Sequence, residues 1–113
     1  MILPEYLKSV KFNNEIFESL VNQLNKDLQM TGFSELEMLG KELNLLTIET
    51  ELLKSIAEKH HSVTELRNLM YRVDVSETRI SELELGFDAA DLTKLVLERV
   101  CIKVMTRYLF SNS

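Results

Sequence analysis

The sequence predicts an all-α fold: a helical bundle of three long helices, at about 14–30, 35–59 and 89–110, with two short ones at about 63–73 and 77–85. Three observations carry that expectation. Apolar residues recur three and four positions apart through most of the chain, which is the spacing of one helix face. Asn, Ser and Asp stand in front of these runs, twice with Glu three residues later, as helix N-caps do. One Pro and three Gly in 113 residues leave little turn chemistry for a sheet of many strands. At this length one domain, 1–113, is expected, able to bury roughly two thirds of its unfolded surface.

Residues 1–12 read as a short arm docked on the body. Pro4 suits the first turn of a brief helix, and Tyr6, Leu7, Val10 and Phe12 supply apolar contacts. Asn13 is the expected N-cap of the first long helix, with Phe12 and Phe17 as a hydrophobic staple around it. Its stripe is Ile16, Phe17, Leu20, Val21, Leu24 and Leu28, and Gly32 fits the left-handed position after its end, with Phe33 folding back on Leu28.

Ser34 and Glu37 match a capping box and Phe33 with Met38 a second staple, so the next helix is expected to start at 35. Its main stripe, Leu36, Leu39, Leu43, Leu46, Thr50, Leu53 and Ala57, alternates by threes and fours, and Ile48, Leu52 and Ile56 broaden it. Such a helix would be roughly 37 Å long. Gly40 inside it costs about 1 kcal/mol against Ala and marks a close crossing or a break. Ser62 and Glu65 form another capping box for the helix at 63–73. Cap residues in Asp74-Val75-Ser76 then lead into 77–85, which Gly86 ends. Asp88 caps the last helix.

That last helix has two apolar lines. Leu97, Val100, Cys101, Val104, Met105 and Tyr108 make the first, while Leu95, Ile102 and Leu109 make a second at intervals of seven. Two lines require neighbours on both sides. The helix therefore lies at the centre of the bundle or shares Leu95, Ile102 and Leu109 with another chain as an interface.

Charge and composition narrow the partners. The formal charge is −5, from 18 acids against 13 bases, which disfavours nucleic acid and suits a basic or apolar protein patch. The segments 63–73 and 77–85 have the lengths of a helix-turn-helix, yet the second carries Glu77, Glu82 and Glu84 against Arg79 alone. No window is long and apolar enough for a membrane span, and the start has no signal-peptide pattern. The lone Cys101, on an apolar stripe, excludes an intramolecular disulfide and fits a reducing cytoplasm as a buried, inert thiol.

Chemistry is sparse. Glu58 and His61 have the Glu-x-x-His spacing of half a di-metal site, with Glu65 near enough to add a ligand, but the second half is missing. A solvated helix end is the plainer reading. No phosphate loop, Cys-x-x-Cys pair or nucleophile elbow occurs, so no catalytic residue, cofactor or small molecule is inferred. The segment Tyr71-Arg72-Val73-Asp74-Val75-Ser76-Glu77 has the look of a signature, although its polar members also suit a turn and a cap. The expected function is a non-enzymatic protein–protein interaction module, homodimeric through its long amphipathic helices. Two alternatives stand beside it: an acidic regulator or inhibitor that masks a basic partner, and a metal-binding protein using Glu58 and His61.

Overall fold

A computed structural model describes residues 1–58, 62–86 and 88–111. Asn13 is extended, and its side-chain oxygen accepts from the Ile16 N–H at 2.8 Å, so α1 (Asn14–Met30) begins where its cap predicts. Phe12 and Phe17 stack across that cap with ring centroids 5.3 Å apart. At the other end Gly32 takes φ +87°, where a Cβ would be strained. The Phe33 N–H then reaches the Leu28 carbonyl at 2.9 Å and the Gly32 N–H reaches Gln29 at 3.3 Å.

The second helix departs from expectation. Instead of 35–59 it is α2 (Leu45–Ala57), and the stretch before it is an irregular strap. The expected capping box of Ser34 and Glu37 does not form. Three causes are visible. Gly40 takes φ +76°, incompatible with a continuous helix, and Asn44 is extended and caps α2 by accepting from the Thr47 N–H at 2.9 Å. The strap's polar groups also find partners that a helix would forfeit. The Leu36 N–H donates to Asn25 Oδ1 at 2.8 Å, the Ser55 hydroxyl donates to the Ser34 carbonyl, and Gln29 donates to the Glu35 carboxylate. Phe33 and Leu36 are buried, so the strap closes one side of the core.

Lys41 pins the strap to α2. Its ammonium lies 2.9 Å from the buried Glu51 carboxylate, which Lys54 also holds at 3.0 Å. Hydrogen bonds from Lys41 and then Lys54 keep the Glu51 carboxyl below its ordinary value near 4.5, against the upward push of burial. A carboxyl depressed in the folded state contributes stability above its unfolded value, and that contribution is lost as pH falls through the folded value. Urea titrations at a series of pH values check this: Glu51→Gln is expected to flatten the loss of stability below about pH 4.5.

α3 (Val63–Arg72) starts with the expected reciprocal capping box, the Ser62 hydroxyl on the Glu65 N–H and the Glu65 carboxylate on the Ser62 N–H. α4 (Glu77–Leu85) follows a turn capped by Ser76. Asp88 then starts α5 (Ala89–Ser111) by accepting from the Ala90 N–H at 2.9 Å. The described residues are all helix and connection, with no strand, so the bundle is all-α and has two long helices and three shorter ones.

α5 is the axis. It packs against α1 and α2, and the 3-10 turn Glu5–Leu7 lies on it, with Leu7 fully buried and the Tyr6 hydroxyl 2.9 Å from that of Thr106. α3 packs on α1, and α4 on α3. Leu20, Leu24, Ile48, Leu52, Leu92 and Val96 sit fully buried where these helices meet.

Candidate interaction surface

The metal candidates and the lone thiol come first. Glu58 is exposed at the end of α2, Glu65 is committed to the α3 cap, and His61 lies outside the described residues. Among the described residues no group of three or more His, Cys, Asp and Glu side chains converges as a metal site would need. Cys101 is buried as expected, and its thiol is pushed up to about 12, first by burial and then by the Glu98 charge. Native protein should therefore react with a thiol reagent on the order of 100-fold more slowly than urea-unfolded protein, which a colorimetric thiol assay checks.

The Tyr71–Glu77 segment is a second helix stop. Asp74 takes φ +64°, the Val75 N–H reaches the Met70 carbonyl at 3.0 Å, and the Asp74 N–H reaches Tyr71 at 3.2 Å. Val73 and Val75 are buried, Ser76 caps α4, and Arg72 reaches across to α1. Arg72, Val73, Asp74, Val75 and Ser76 thus each have a folding role.

A groove of about 860 Å³ runs beside α4 and α5. Its rim alternates Asp74, Glu82, Asp91 and Glu98 with Arg79, Lys94 and Arg99. Arg79 is already 3.1 Å from Glu82, and Glu98 accepts from the Ile2 N–H at 3.5 Å. Mixed signs give no single-sign field to hold a charged ligand.

The two apolar lines of α5 both meet their own chain. Leu97, Val100, Cys101, Val104 and Met105 are buried, while Leu95, Ile102 and Leu109 are half-buried against the same core. The central position of α5 accounts for apolar residues all round its axis.

On α2 the apolar surplus faces outward. The core takes Ile48, Leu52 and Ile56 together with the polar Glu51 and Ser55, the latter two held by Lys41, Lys54 and the Ser34 carbonyl. The opposite side carries Leu46, Thr50, Leu53 and Ala57, all exposed, with Leu46 at 75% and Leu53 at 37%. Thr50 Oγ1 donates to the Leu46 carbonyl at 2.8 Å, so its hydroxyl turns back on the helix and does not interrupt this apolar strip. Leu39, in the strap turn closed by the Lys41 N–H on the Met38 carbonyl, is wholly exposed.

Sequence periodicity joins these leucines into the main stripe of a longer helix. Glu51 and Ser55 at core-facing positions disguised the true inner face, because only the strap supplies their partners. The readable signal was the four-residue step from Ile48 through Leu52 to Ile56. No family model, curated protein or solved structure matches this chain.

Proposed function

We propose that this chain is a non-enzymatic protein–protein interaction module that self-associates, with the outer face of α2 as the contact. One observation carries the reading: Leu46 and Leu53 stand exposed on the side of α2 turned away from the core. Each exposed leucine forgoes up to about 2 kcal/mol relative to full burial. An unpaired row of them on one helix is what a partner would cover. The reducing cytoplasm suits a single buried thiol.

The geometry suits a second copy, since a helix face that alternates large and small side chains can interdigitate with itself. The strip is short. At roughly 20 Å of helix it falls below the ~800 Å² per partner of a standard interface, so a dissociation constant on the order of tens of micromolar is expected. Sedimentation equilibrium tests it. The mean mass should climb from 13.1 kDa toward twice that value as concentration passes the micromolar range, and a constant 13.1 kDa to millimolar concentration overturns the reading.

A further inference from the structure

We infer that two copies join parallel and in register along α2, with Glu49 of each copy opposite Lys54 of the other; this rests on the self-association proposed above. On the outer face Leu46 and Leu53 are seven apart, and Thr50 and Ala57 repeat four residues after each. These are the d and a positions of two heptads, with large leucines at d and small side chains at a. The next positions outward on either flank are g and e, occupied by Glu49 and Lys54.

Orientation follows from these flanks. In a parallel pair a g residue meets the partner's e residue five positions on, and five positions on from Glu49 is Lys54. Two symmetric opposite-charge pairs result. An antiparallel pair that seats Leu46 against Ala57 would bring Glu49 beside the other copy's Ile56 and Lys54 beside its Thr47, so neither charge would gain an opposite partner. Lys54 is available for this. Its side chain is 64% exposed, and Lys41 keeps its own 2.9 Å contact with Glu51 when Lys54 swings outward.

Cysteine crosslinking reads the register. Ala57 is exposed, so Ala57→Cys leaves the core untouched, and native Cys101 is buried and does not compete. Under mild oxidation the parallel pair brings position 57 onto itself, so Ala57→Cys should crosslink with its own copies. A mixture of Ala57→Cys and Leu46→Cys should then give only the two self-crosslinked species. The antiparallel pair predicts the reverse, with the mixed species dominant and position 57 separated from itself by roughly 16 Å along the axis. A charge swap gives a second reading. Glu49→Lys and Lys54→Glu should each weaken the dimer about 5-fold, and the double variant should return to within about 2-fold of wild type. Dominant mixed crosslinks, or a double variant as weak as the singles, overturn the parallel register while leaving self-association standing. Absence of any dimer overturns both.

Discussion

Arg72→Met is expected to destabilise the fold by about 3 kcal/mol, the lower end of the cost of removing one partner from a buried ion pair, because Asp27 is buried while the Arg72 side chain is 31% exposed. Asp27 of α1 is buried at 1% exposure, and Arg72 Nε lies 3.0 Å from its Oδ1. Gln23 donates to the same oxygen at 3.1 Å, and Oδ2 is buried without a hydrogen-bond partner. The carboxylate therefore depends on the guanidinium for most of its compensation. Without it, the buried carboxylate keeps Gln23 as its one side-chain partner. Gln23 in turn accepts from Arg107 of α5 at 3.0 Å, so the disturbance reaches three helices. Chemical denaturation reads the loss. The double variant Asp27→Leu with Arg72→Met should lose less than Arg72→Met alone, because no unpaired charge remains. A single variant within 1 kcal/mol of wild type, roughly the value of a surface pair, would contradict this account.

Leu52→Ala is expected to cost about 2–5 kcal/mol, and its neighbour Leu53→Ala well under 1 kcal/mol. Leu52 is fully buried on the side of α2 that meets α5, so truncation leaves a cavity as well as lost transfer energy. Leu53 is 37% exposed on the far side, where the truncated surface is water-filled in the single chain. Self-association should order the two substitutions the other way. Leu53→Ala should weaken the dimer although the fold is intact, and Leu52→Ala should affect it only through stability. Paired denaturation and sedimentation measurements separate the two sides of this helix.

The readable parts of the fold are those decided within a few residues. Asn13, Ser62, Ser76 and Asp88 cap their helices through side chains that accept N–H groups two or three positions ahead, so the sequence holds both halves of each bond. Gly32 ends α1 by the same local logic. The strap was not legible because its partners are distant in the chain: Asn25 for Leu36, Ser55 for Ser34 and Glu51 for Lys41. Local periodicity favoured a longer helix, and tertiary hydrogen bonds with a left-handed Gly40 prevailed.

The candidate surface was half legible. An excess of apolar positions could be seen in both long segments, and α5 was readable as a helix needing neighbours on two sides. What periodicity could not assign was which excess the chain itself covers. The 3-10 turn, α1 and α2 surround α5, whereas Leu46 and Leu53 look outward because Ile48, Leu52 and Ile56, beside the buried Glu51 and Ser55, take the inner side of α2.

Replacing Leu46 and Leu53 together by Glu puts the central claim to its most direct test. Both positions are exposed, so the doubly substituted chain should keep wild-type helical content and core stability. Sedimentation of the two proteins side by side should then show wild type approaching twice 13.1 kDa with concentration and the substituted chain remaining at 13.1 kDa. A substituted chain that dimerises as well as wild type would show that the outer face of α2 is not where two copies meet.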